Sequence, residues 1–66
     1  MNVTVNGVAA RIADGWSVAD LVRHRANEQR KVAVARNGEV VPRGEWETTR
    51  LSEEDELEIL APVAGG

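Results

Sequence analysis

Few side chains in this chain could do chemistry. The hydroxyl nucleophiles are Ser17, Ser52 and a handful of threonines, and neither serine has a histidine or acidic partner at a spacing that would activate it. His24 is the only histidine, and it stands between Arg23 and Arg25. Two flanking cations make it a poor general base and a poor metal ligand. The acidic run Glu53-Glu54-Asp55-Glu56 lacks the glycine and the ligand spacing of a calcium loop. With no cysteine, thiol redox chemistry and thiolate metal sites are excluded. No glycine-rich loop is present to cradle a phosphate. The chain is therefore expected not to be an enzyme by itself, and to bind no metal and no cofactor.

What remains is the chain end, Val63-Ala64-Gly65-Gly66, whose functional group is the Gly66 carboxylate. Glycine lacks a Cβ, so a Gly-Gly end is thin and conformationally free. Such a peptide suits insertion into another protein's active site, with Val63, Ala64 and Gly65 as the inserted stem. A carboxylate is a poor acyl donor until one oxygen joins a good leaving group. Adenylation by ATP supplies one, and a sulfur nucleophile can then displace AMP to leave a thiocarboxylate. The lack of cysteine suits a carrier that holds sulfur at Gly66. Against this stands the ordinary tendency of chain ends to be small, frayed and inert.

The remaining residues must position that end. Sixty-six residues make one small domain, read as a body over 1–62 and a flexible tail over 63–66. The apolar set is rich in Val and Ala, with no Phe or Tyr, which favours a sheet over a helical bundle. A net charge of −3 is the wrong sign for general nucleic-acid binding. No apolar run approaches a membrane span and no leader is visible, so a cytoplasmic protein without membrane contact is expected.

Alternation over Asn2–Asn6 predicts a strand, and Asn6-Gly7 predicts a tight hairpin turn. Val8 to Ala13 returns as the second strand, with Val8, Ala10 and Ile12 on one face. Ser17 is a good helix N-cap, with Asp20 three residues on completing a capping box and Trp16 and Leu21 at the staple positions. Val18, Leu21, Val22 and Ala26 mark one helical face. Arg23, Arg25, Arg30 and Lys31 crowd the helix end, where cations suit the macrodipole. Val32–Ala35 and Glu39–Val41 read as strands joined by a turn at Asn37-Gly38, and Pro42 stops the second. Residues 43–52 show no period and read as a loop, from which Trp46 and Leu51 plug the core. Leu57–Ala61 is the last strand, closed by Pro62. Its alternation turns Leu60 outward with Glu56 and Glu58, so Leu60 and Pro62 are candidate partner-docking residues, with Val63 beside them. The order β-β-α-β-β-β predicts an α+β roll with a mixed sheet of about four to five strands packed on one helix.

The Val63-Ala64-Gly65-Gly66 end, the stretch Asn37-Gly38-Glu39-Val40-Val41-Pro42-Arg43 with Trp46, and the opening hairpin resemble the ThiS family of sulfur carriers in thiamin biosynthesis. The resemblance implies a ubiquitin-like β-grasp fold. It further implies that Gly66 is adenylated by a ThiF-type enzyme using ATP, converted to a thiocarboxylate with sulfur from a donor protein, and drawn on by a ThiG-type thiazole synthase. Family members commonly carry Gly-Asp in the turn before the last strand, where this chain has Glu54-Asp55. The rival readings are a MoaD-type carrier for molybdopterin synthesis, a ubiquitin-like modifier forming isopeptide bonds, and a non-catalytic β-grasp interaction domain.

Overall fold

The computed structural model describes residues 1–25 and 32–60. Five strands form one mixed sheet: β1 (Asn2–Val5), β2 (Val8–Arg11), β3 (Ala33–Arg36), β4 (Glu39–Val41) and β5 (Glu56–Leu60). Their spatial order is β2-β1-β5-β3-β4. One helix, α1 (Val18–Arg25), buries Val18, Ala19, Leu21 and Val22. This is the mixed-sheet, one-helix roll that the order of elements predicts.

Both hairpins close through Asn-Gly turns whose residues all have positive φ: Asn6 at 51° and Gly7 at 81°, Asn37 at 51° and Gly38 at 87°. That backbone matches the right-handed twist of the flanking strands, and Asn and Gly are the residues that tolerate it. The helix starts at the predicted capping box. The Ser17 hydroxyl accepts from the Asp20 amide at 3.2 Å, and Asp20 Oδ2 accepts from the Ser17 amide at 2.9 Å. Two amides that have no partner within the helix are thereby satisfied.

β1 pairs antiparallel with β2 and parallel with β5, while β3 pairs antiparallel with β5 and β4. Leu21 and Leu57 are fully buried where the helix meets the sheet centre, and each contributes about 1.5–3 kcal/mol of apolar transfer. Trp46 and Leu51 close the core as predicted, and the indole Nε1 donates to the Val41 carbonyl at 2.9 Å. A buried indole N–H needs such a partner.

Val8 and Ala10 share the face of Val3 and Val5, as the period predicts, and Val8 is 63% exposed at the corner of an edge strand, next to the turn. Two expectations are corrected. The segment after Pro42 opens with a 3₁₀ turn at Arg43–Glu45, and the Glu45 carbonyl accepts from the Thr48 and Thr49 amides and hydroxyls. Strand ends move by one or two residues, with β2 stopping at Arg11 and β3 running to Arg36. Ala26, Arg30 and Lys31, and the expected boundary at 62, lie outside the described residues.

Candidate functional site

The last strand leads to the residues singled out for chemistry, so its placement decides what the chain can present. β5 lies between β1 and β3 at the sheet centre. Side chains alternate across a strand, and here Glu56, Glu58 and Leu60 are exposed while Leu57 is buried. Leu60 is 63% exposed on the face away from the helix. Of the predicted site residues, Leu60 is placed as expected. Pro62, Val63, Ala64, Gly65 and Gly66 lie outside the described residues.

Register shows what Leu60 sits among. Ala33 lies opposite Leu60 and Ala35 opposite Glu58, and Val40 lies opposite Ala35. Paired residues point to the same face, so Leu60, Ala33, Ala35 and Val40 make an apolar diagonal across three strands, with Val40 75% exposed. The small alanines leave that strip shallow. Glu56 and Glu58 border it. An exposed apolar strip with a charged rim has the makeup of a protein-docking surface. Sequence reading had identified Leu60 and missed Val40, although a buried Val41 beside it already implies that Val40 faces out.

Both ends of β5 are tied down by side chains. At its start, the buried Asp55 carboxylate accepts from Arg36 Nε at 2.8 Å, from Asn37 Nδ2 at 3.0 Å and from the Ser52 amide at 2.7 Å. Burial opposes the charged form, but these donors outweigh it and hold the Asp55 carboxyl below its usual range. Asn37 Oδ1 also accepts from the Glu56 amide at 2.9 Å. Near the other end, Asn6 Oδ1 accepts from the Ile59 amide at 2.8 Å, and Asn6 Nδ2 donates to the Ile59 carbonyl at 3.1 Å. The Glu54 amide donates to the Asn2 carbonyl at 2.7 Å, and Glu54 adopts φ of 72°. Glu54 thus keeps the left-handed backbone that glycine would supply.

The other candidate groups do not assemble. The Ser17 hydroxyl is committed to Asp20, to which it also donates at 3.1 Å. His24 is exposed, with its ring centroid 4.4 Å from that of Trp16. Among the described residues, no three His, Asp or Glu side chains converge to hold a metal ion. A groove of about 250 Å³ lies between α1 and the 3₁₀ turn, lined by Ala19, Val22, Arg23, Arg43, Trp46 and Glu47. Arg23 there is bonded to both Asp20 and Glu47, and Arg43 stacks 4.8 Å from the Trp46 ring. No serine, threonine, cysteine or histidine lines the groove. No helix among the described residues is long and apolar enough to cross a membrane.

Comparison with known proteins gives consistent matches. The model of the ThiS family matches residues 3–66. A thiazole synthase of Paramagnetospirillum magneticum is 33% identical over all 66 residues, and the chain spans 20% of that protein's length. The sulfur carrier protein ThiS of Escherichia coli is 29% identical over the full length of both chains. The crystal structure of the thiamine biosynthesis protein ThiS from Geobacter metallireducens superposes with a TM-score of 0.86 at 32% identity, covering both chains completely. The solution structure of a thiamine biosynthesis protein from the same organism gives 0.83 at 32% identity, covering all of this chain and 88% of the other.

Proposed function

The chain belongs to the ThiS family, the sulfur carriers of thiamin biosynthesis, and from that membership we propose that its Gly66 carboxylate is the carrying group. The observation that bears most weight is that the family match runs to the last residue, so Gly65-Gly66 falls inside the shared pattern.

In this reading the chain is a protein co-substrate. A Gly66 carboxylate oxygen attacks the α-phosphorus of ATP in a ThiF-type enzyme, and pyrophosphate leaves. The resulting acyl adenylate is attacked at carbon by sulfur from a donor protein, and AMP leaves. If the donor's sulfur is a persulfide, the product is an acyl disulfide, and a thiol that attacks the donor's sulfur leaves a disulfide there and releases a thiocarboxylate at Gly66. The carrier yields that sulfur to the substrate of a ThiG-type synthase, and an oxygen from that substrate or from water takes its place on the acyl carbon, restoring the carboxylate. Each attack needs an open approach to the carbonyl, which a glycine pair allows because neither residue carries a Cβ. Val63, Ala64 and Gly65 are the stem that enters the partner, while Leu60 and Pro62 meet its surface beside the apolar strip. A ThiG-type partner is supported by the relative described as thiazole synthase, a longer protein that contains a segment like this entire chain. ATP belongs to the adenylating partner, and the reading implies a cytoplasmic protein.

The test is accurate-mass analysis of the C-terminal tryptic fragment, residues 51–66, from protein made in its native cell, before and after incubation with the adenylating enzyme, ATP and sulfide. The fragment contains no Met, Trp, Cys or His, so replacement of oxygen by sulfur is distinct from ordinary oxidation. An AMP adduct followed by sulfur at Gly66 is the expected result. A fragment that ends in a plain carboxylate both before and after that incubation refutes the reading, and a lysine joined to Gly66 points to a modifier instead.

A further inference from the structure

β1 ends at Val5, opposite Leu57, and the chain then turns away through Asn6 and Gly7. The Asn6 amide donates to the Leu57 carbonyl at 2.9 Å, the last main-chain bond on that side among the described residues. Beyond it, no strand among the described residues lies beside the β1-facing edge of β5, while its other edge still pairs with β3 out to Ala33 opposite Leu60. The Asn6 carboxamide fills the gap. Its oxygen and nitrogen bond the amide and carbonyl of Ile59 as a neighbouring peptide unit would.

We propose that Asn6 is the positioning residue for the reactive chain end: its side chain acts as one further rung of the β1–β5 ladder and sets the direction in which β5 delivers residues 61–66 to a partner. This rests on the carrier reading above. The positive φ of Asn6 admits few residues, and among those only asparagine offers both a donor and an acceptor at that reach. Aspartate would keep the acceptor and lose the donor. Without the rung, β5 near its end is held along one edge only. The fraction of molecules presenting the tail at the productive angle then falls, and apparent affinity for a partner falls in proportion.

Asn6→Gly isolates the side chain, since glycine accepts the turn backbone. Asn37→Gly is the matched control: it occupies the same φ of 51° in the other hairpin and bonds the opposite end of β5. For Asn6→Gly we expect faster hydrogen exchange at the Ile59 amide and a KM for the carrier in ThiF-type adenylation raised about five- to tenfold, with kcat unchanged. Asn6→Asp should raise KM while the Ile59 amide stays protected. Asn37→Gly should lower thermal stability without moving KM. A KM unchanged in Asn6→Gly, or raised equally in Asn37→Gly, overturns the proposal. A wild-type chain that is not adenylated at all overturns the carrier reading, and this proposal with it, even where Ile59 exchange responds as described.

Discussion

Glu54→Gly should make this protein more stable. A non-glycine L-residue in the left-handed region costs about 1–2 kcal/mol, because its Cβ crowds the neighbouring backbone. Glu54 bears that cost at φ of 72°, at the position the family commonly fills with glycine. Its backbone amide bonds the Asn2 carbonyl, and glycine would keep that bond. Its side chain is exposed, so little packing is lost. Against the relief stands the greater freedom of glycine in the unfolded chain, worth about 0.4–1 kcal/mol. The net gain is about 0.5–1 kcal/mol, which in a domain this small raises Tm by about 3–6 °C. Glu54 also lies among Glu53, Asp55 and Glu56, so loss of charge could stabilise by itself. Glu54→Gln separates the two effects, since it removes the charge and keeps the Cβ. Thermal unfolding followed by circular dichroism, with all three proteins at one pH and salt concentration, measures both. A Glu54→Gly protein no more stable than wild type, or a Glu54→Gln protein that gains as much, would refute the strain argument.

Asp55→Ala should cost about 2–4 kcal/mol, because it strands the Arg36, Asn37 and Ser52 donors beside a buried cavity. Since the folded carboxyl is held below its ordinary 3.8, its contribution is complete above that value and is lost as pH falls through the folded one. The gap in Tm between wild type and Asp55→Ala should therefore narrow below about pH 4; a gap constant from pH 2 to 6 would contradict it. Trp46→Phe should cost about 1–2 kcal/mol in chemical denaturation by leaving the Val41 carbonyl without its indole donor, and an unchanged midpoint would count against that bond. Gly66→Ala should leave Tm unaltered and slow adenylation about 10- to 100-fold by crowding the carbonyl. Adenylation at the normal rate, or an unfolded variant, would sink that expectation.

Much of the fold is local and was therefore legible. Asn6-Gly7 and Asn37-Gly38 each specify a turn within two residues, Ser17 and Asp20 specify a helix start within four, and the alternation of Glu56 to Leu60 assigns faces without reference to any other strand. The order of strands is not local. Nothing in Val3, Val5 or Leu57 says that β1 and β5 are neighbours, because a period of two states which face is buried and not which strand lies alongside. The same gap hid the apolar diagonal, which exists only once Ala33 and Ala35 are placed between Leu60 and Val40. Val8 followed its period, but its exposure was not legible there, since burial at a sheet corner depends on what reaches it. Glu54 breaks a backbone preference, so its residue type gives no sign of the left-handed main chain there. Asn6 was legible as a turn residue, but its grip on Ile59, 53 positions away in sequence, was not.

The parallel pairing of β1 with β5 joins strands more than fifty residues apart in sequence. A ribosome makes β1 first and β5 last, so a nascent chain holds an unfilled central slot in its sheet until residues 56–60 have left the exit tunnel. Folding of this domain therefore waits for residues 56–60, as expected for contacts so distant in sequence. A chain cut short before Glu56 lacks the keystone of its sheet and the residues that would carry its chemistry together. Truncated products are thus unfolded and inert at once, and cannot occupy a partner's active site as folded impostors.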